Sequence, residues 1–184
     1  TVHKIKSYGA VENNTNNNIQ GTININGGRY NYYIRNYGDL NISGATIKVS
    51  NATALSNNST GIANIEDTTI ESQNYGAIYN NSYGNGIAVV NIKNSTIKAK
   101  SYGIENRNTG AINVTGTTSV TSTENHGIYN DSTGTITIGE KDGNVSIETP
   151  IITGKTYGIY NNNNNGIFNF YDGVIKGETG AIYG

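Results

Sequence analysis

Apolar residues recur along this chain in pairs two positions apart, each pair inside a short run bounded by Gly, Asn, Ser or Thr. The pairs are Ile23/Ile25, Leu40/Ile42, Ala63/Ile65, Val90/Ile92, Ile112/Val114, Ile136/Ile138 and Phe168/Phe170. Period-two alternation between turn-forming residues predicts short β-strands with one face buried, and no window carries a capped helical stripe. A second block precedes each pair: a small residue, an aliphatic, a variable residue and Asn, as in AVEN (10–13), YIRN (33–36), ALSN (54–57), AIYN (77–80), GIEN (103–106) and GIYN (127–130 and 158–161), with AIYG closing the series at 181–184. A third block follows most pairs: ATIKV (45–49), TTIES (68–72), STIKA (95–99), TSVTS (118–122) and GVIKG (173–177).

The Asn of the first block stands at 13, 36, 57, 80, 106, 130 and 161, giving spacings of 23, 21, 23, 26, 24 and 31. Three strands in about 23 residues have too few apolar side chains to form a free-standing sheet, so such units must stack. The pattern therefore predicts an all-β fold: a right-handed parallel β-helix of about 7–8 turns, with three short strands per turn and a rod length of roughly 35–40 Å at about 4.8 Å per strand. One domain is expected over 1–184. With no initiator Met, no signal-peptide pattern and both ends inside the repeat, it reads as a segment of a longer surface protein.

Stacking turns sequence positions into columns. Val11, Ile34, Leu55, Ile78, Ile104, Ile128, Ile159 and Ile182 are expected to form one internal stack. Asn13, Asn36, Asn57, Asn80, Asn106, Asn130 and Asn161 are expected to form a structural amide ladder at a strand end, where an amide both donates and accepts and Asn tolerates left-handed backbone. In the third block Lys6, Lys48, Glu71, Lys98 and Lys176 share an outward column, with Glu71 between two lysines as charge balance.

Composition narrows the function. Hydrophobic residues make up 34% of the 184, yet Ile, Val and Thr are abundant and there are 14 Tyr, which separates the chain from disordered low-complexity sequence. A net charge of −1 with 14% charged residues offers no field for nucleic acid, and no apolar run is long enough to span a membrane. Without Cys there is no disulfide, thiolate metal site or Cys nucleophile.

The YGIYN-type first strands with their Asn column, the G-x-I-N-I second strands and the T-I-K third strands resemble the right-handed parallel β-helix of the pectin-lyase-like superfamily, in the repetitive form of bacterial surface adhesins and autotransporter passengers. That resemblance covers nearly the whole chain. It implies a secreted or cell-surface location, and it spans both non-catalytic adhesins and polysaccharide lyases or hydrolases.

The residues favour the non-catalytic reading. Enzymes of the fold gather carboxylates on one outer face, whereas here Asp39, Asp67, Asp131, Asp142 and Asp172 mostly fall in or beside turns, and the tight groupings are Glu66–Asp67 and Glu140–Asp142. Neither His3 nor His126 has a repeat-placed partner for nucleophilic catalysis; His126 takes the place of Tyr102 and Tyr157 in adjacent turns. No catalytic residue, metal site or cofactor is assigned: Glu, Asp and Asn of GEKDGN (139–144) supply hard oxygens of the kind that bind metal, but the 12-residue EF-hand spacing is absent, and the segment reads as a solvated loop in preference to a metal site. Thr46, Thr69, Thr96 and Ser119 form a hydroxyl column, but the charged companion column makes it a poor ice-binding face.

Recognition falls to two surface features. Glu12, Arg35, Ser56, Tyr79, Glu105, Tyr129, Tyr160 and Tyr183 share an outward column in the first strand, so Tyr79, Tyr129, Tyr160 and Tyr183 are candidate binding residues whose rings would stack on sugar faces or pack on a partner. Two lengthened turns, Asn81–Asn85 (NSYGN) and Gly139–Pro150, should project from the rod, and Tyr83 in the first joins the candidates. The expected partners are a host glycan or surface protein, with end-to-end self-association through open solenoid ends. The alternative is a polysaccharide lyase or glycoside hydrolase acting in the outer groove.

Overall fold

The structure, a computed structural model, describes residues 2–3 (backbone), 11–13, 21–142 and 146–184. It is a parallel β-solenoid of about 7 turns with about 23 residues per turn and no helix among the described residues. The first blocks build an eight-stranded sheet: Val11–Asn13, Ile34–Asn36, Leu55–Asn58, Ile78–Asn81, Ile104–Asn108, Ile128–Ser132, Tyr157–Asn161 and Gly180–Tyr183. The second blocks build another: Val2–His3, Thr22–Asn26, Asp39–Ser43, Ile62–Glu66, Val89–Lys93, Ala111–Thr115, Thr135–Ile138 and Ile167–Phe170. Seven strands form the third: Arg29–Tyr30, Thr46–Val49, Thr69–Ser72, Thr96–Ala99, Ser119–Ser122, Ile151–Gly154 and Val174–Gly177. Every strand pair in the three sheets is parallel, so each strand bonds only its counterparts one turn away.

Register follows the repeat. Ile78 lies against Leu55 and Ile104, and Ile128 against Ile104 and Ile159, which makes the first aliphatic column continuous. From Ile34 to Ile159 these side chains are essentially inaccessible. Leu40, Ala63, Val90, Ile112 and Ile136 form a second buried column, and Ile42, Ile65, Ile92, Val114 and Ile138 a third. Burying each Ile or Leu contributes about 1.5–3 kcal/mol, so a narrow core of stacked aliphatics can hold the rod despite modest hydrophobic content. Phe170 occupies an inward register opposite Ile138 but remains 46% exposed, because Ile167–Phe170 is the edge strand of its sheet and no described strand covers it.

The corners have their own chemistry. Between second and third strands the chain passes through left-handed backbone at Gly44, Asp67, Asn94, Gly116 and Gly139, with φ between 48° and 87°. Asp and Asn are the side chains that visit this region most readily. The ladder asparagines do not adopt it: they sit in the first strands with ordinary backbone, and left-handed tolerance plays no part in their selection. Just after the corner, buried hydroxyls replace backbone acceptors from turn to turn. Ala45 N–H donates to Thr68 Oγ1, Thr68 N–H to Ser95 Oγ and Ser95 N–H to Thr118 Oγ1, at 3.3, 3.1 and 3.2 Å.

In the third sheet Glu71 lies between Lys48 and Lys98, and Lys48 Nζ reaches Glu71 Oε1 at 2.9 Å. Lys6, assigned to this column, lies outside the described residues, as does the side chain of His3. The hydroxyl column Thr46, Thr69, Thr96, Ser119 is in register but runs into Arg29 at one end and Ile151 at the other. That interruption breaks any flat hydroxyl rank.

Candidate functional site

The first-strand sheet carries two ladders of different kinds on its two faces. Inward, Asn13, Asn36, Asn57, Asn80, Asn106, Asn130 and Asn161 are joined in series, each Nδ2 donating to the Oδ1 of the next at 2.9, 2.7, 2.8, 2.9, 2.9 and 2.7 Å. The remaining Nδ2 hydrogens reach backbone carbonyls at the corner, such as Gly61 O from Asn57 and Gly110 O from Asn106, both at 2.8 Å. Gly110 makes room for this: a Cβ there would sit 2.3 Å from Asn106 Oδ1 and 2.7 Å from Asn80 Nδ2. The inward asparagines are therefore occupied with one another and with backbone.

A second asparagine ladder lies on the outer face of the second-strand sheet. Asn41 donates to Asn24, Asn64 to Asn41, Asn91 to Asn64 and Asn113 to Asn91, at 2.9, 2.9, 2.8 and 2.7 Å. Its signal was the Asn between the paired apolar residues in the I-N-I blocks. Thr137 and Asn169 continue the column by register.

On the outer face of the first-strand sheet, Glu12, Arg35, Ser56, Tyr79, Glu105, Tyr129, Tyr160 and Tyr183 stand in register. The Tyr102–His126–Tyr157 column runs beside them, and the two interleave into one aromatic stack. Ring centroids are 5.0 Å apart for Tyr102–Tyr129, 4.5 Å for His126–Tyr160 and 4.5 Å for Tyr160–Tyr183, with interplanar angles of 29°, 15° and 10°. Tyr157 is tilted by 59° against Tyr160 and 52° against Tyr183. Rings this close and parallel cover one another's faces. With rings this close, Tyr129 and Tyr160 present mainly ring rims and phenol groups outward. Tyr79 has Ser56 and Glu105 as its neighbours in register and lies apart from the stack.

Arg107 packs over Tyr129 near the Tyr102 end of the stack. Its guanidinium carbon lies 4.9 Å from the Tyr129 centroid, Nη2 lies 2.7 Å from Glu105 Oε1, and Nη1 pairs with Asp131 Oδ2. Asp131 belongs to the strand Ile128–Ser132, one register step from the aromatic column, and not to a turn. Burial raises the Tyr129 phenol above its ordinary value while the Arg107 charge opposes that shift. Burial also lowers His126, whose Nδ1 forms a 2.6 Å hydrogen bond with Thr156 Oγ1.

Beyond Arg107 and Asp131 the surface dips into an open groove of about 680 Å³ lined by Tyr83, Asn108, Thr109, Asp131, Thr133 and Asn163. The NSYGN insertion only partly projects. Asn81 and Ser82 are buried, because Asn108 Nδ2 donates to Asn81 Oδ1 at 2.6 Å and to Ser82 O at 2.8 Å, and Ala88 N–H donates to Ser82 Oγ at 2.8 Å. Tyr83, Gly84 and Asn85 are exposed, with Tyr83 at 56%. In the second insertion, Gly139 and Pro150 are buried whereas Glu140, Lys141, Asp142, Ile147 and Glu148 are exposed; Gly143 and Asn144 of GEKDGN lie outside the described residues.

Among the described residues no three His, Cys, Asp or Glu side chains gather in a way that would hold a metal ion, and no helix is long and apolar enough to cross a membrane. Comparisons with family profiles, with curated proteins and with solved structures return no match.

Proposed function

We propose that this chain is a non-catalytic segment of a secreted or surface-displayed bacterial adhesin or stalk of the pectin-lyase-like β-helix type, and that it binds an extended glycan along the outer face of the first-strand sheet. The observation that carries this reading is the aromatic stack from Tyr102 through Tyr129, His126 and Tyr160 to Tyr183, with the polar groove at Tyr83 and Asp131 beside it. Phenols donate and accept hydrogen bonds, and the groove adds Asn, Thr and Asp groups of the kind that orient a polyhydroxylated ligand. Tyr129, Tyr160 and Tyr183 recur once per turn, with ring centroids 5.9 and 4.5 Å apart, which suits a polymer lying parallel to the rod. A rigid scaffold presents them with little ordering cost on binding.

Glycan-array and host-matrix binding by the wild type and by the triple variant Tyr129→Ser, Tyr160→Ser, Tyr183→Ser tests this. Loss of glycan binding with an unchanged circular-dichroism spectrum is the expected result, and Tyr83→Ser should weaken the same ligands. Full binding by the triple variant would remove the aromatic stack from the proposal. Release of product from uronate or galactan polymers, with or without Ca²⁺, would overturn the non-catalytic assignment.

A further inference from the structure

The sequence gives no reason to single out Asp172, which lies in the turn between Ile167–Phe170 and Val174–Gly177, yet in the fold it is 8% exposed. Among the described residues nothing bonds to its Oδ1, the one buried side-chain polar atom left without a partner. No Lys or Arg forms an ion pair with it there. A buried carboxylate oxygen without a hydrogen-bond donor is costly, and natural structures retain one where something else compensates it.

The surroundings indicate what that is. Asp172 lines a cavity of about 230 Å³ with Gly116, Glu140, Ser146 and Thr149, at the corner where the second insertion leaves the rod. Gly139 lies directly against the carboxylate: a Cβ at that position would be 2.2 Å from Asp172 Oδ1. The insertion is fastened over the turn, with Gly173 N–H donating to Ser146 O at 2.8 Å and Val174 N–H to Pro150 O at 2.8 Å. Ser146 Oγ accepts from Glu148 N–H at 3.3 Å and from Thr149 N–H at 3.2 Å and lies 3.4 Å from Thr149 Oγ1, so Ser146 is used up in holding the turn and keeps the Thr149 hydroxyl beside the cavity.

We propose that this corner is a Ca²⁺ site, with Asp172 and Glu140 as its carboxylate ligands and the Thr149 hydroxyl as a neutral oxygen donor. The donor set is all hard oxygen and irregular in arrangement, which suits Ca²⁺ better than the strict octahedron of Mg²⁺. With two carboxylates the ion keeps several waters and the site is of modest affinity. Its consequence is structural: the ion would tie Glu140 and Thr149, on the two described arms of the insertion, to Asp172 in the following turn. This inference is independent of the aromatic stack.

The test is thermal unfolding and isothermal titration of the whole chain after chelator treatment, with CaCl₂ added back. Wild type should melt at rising temperature with increasing calcium, and less responsively with magnesium. Asp172→Asn should fold and lose the calcium response, Glu140→Gln should bind about tenfold more weakly, and Asp67→Asn, at a different corner, should behave as wild type. A wild type indifferent to calcium would overturn the proposal. So would an unchanged response in Asp172→Asn. Should that variant fail to fold, undiminished calcium affinity in Glu140→Gln, whose side chain is exposed, overturns it equally.

Discussion

Asn57 donates its side-chain amide to Asn80 Oδ1 at 2.8 Å, one turn along the rod, and Asn80 donates in the same direction to Asn106 at 2.9 Å. All six links in the column point the same way, so the amide dipoles align and each bond polarises the next. Asn80 is fully buried and also bonds Ala88 O and Ala111 O at 3.0 and 3.2 Å.

Replacing Asn80 by Ala strands these acceptors and should cost about 2–4 kcal/mol, at roughly 1–3 kcal/mol per unsatisfied buried group. Asn80→Asp should be worse than Ala at pH 7, since a carboxylate would face the Asn106 oxygen. Its folded pKa would be raised above the unfolded value, so its deficit should shrink as pH falls toward about 4, where a protonated acid can donate. Urea unfolding at both pH values checks this; an Asn80→Ala variant as stable as wild type would show the ladder to be dispensable.

Arg107 bridges Glu105 and Asp131 while lying over the Tyr129 ring. Lys carries the charge but neither the fork nor the planar face. With the Arg107 side chain 34% exposed, Arg107→Lys should lose only about 0.5–1 kcal/mol. Raising salt to about 1 M should remove the Coulombic part of the difference and leave the ring-contact part. Denaturation midpoints at low and high salt measure both, and a difference abolished entirely by salt would argue against a contribution from the ring contact.

His126 should make the rod acid-sensitive. Burial lowers its pKa from the ordinary 6.5, so the unfolded chain takes up a proton before the folded one does. Stability is then fully present above about 6.5 and falls as pH drops below that value through the folded pKa. His126→Tyr, which restores the residue type found at 102 and 157, should lose this step, while His3→Gln should keep it. Melting temperatures across the interval decide the matter, and an unaltered acid slope in His126→Tyr would place the titrating group elsewhere.

The turns were legible because a solenoid writes its geometry into the sequence as a period. Each strand pairs with the same block one turn away, so register needs only the alignment of Ile78 with Leu55 and Ile104, or of Asn80 with Asn57 and Asn106. The outer Asn24–Asn113 column was present in that same alignment, but nothing in an isolated I-N-I block says that its amide bonds sideways rather than to water. The inserted segments were harder still. They break the period, and whether Asn81 and Ser82 project or are buried depends on Asn108 in the next turn.

Alone, then, the sequence determined the architecture, the three buried aliphatic columns and which residues share a face. These follow from local alternation repeated at a constant interval. Only the tertiary structure decided what each face offers. Whether Tyr160 presents its ring face or its rim depends on His126 and Tyr183 lying 4.5 Å away, and whether Asp172 is solvated depends on an insertion more than twenty residues earlier folding over it. Burial and stacking belong to pairs of turns, and one turn's residues do not specify them.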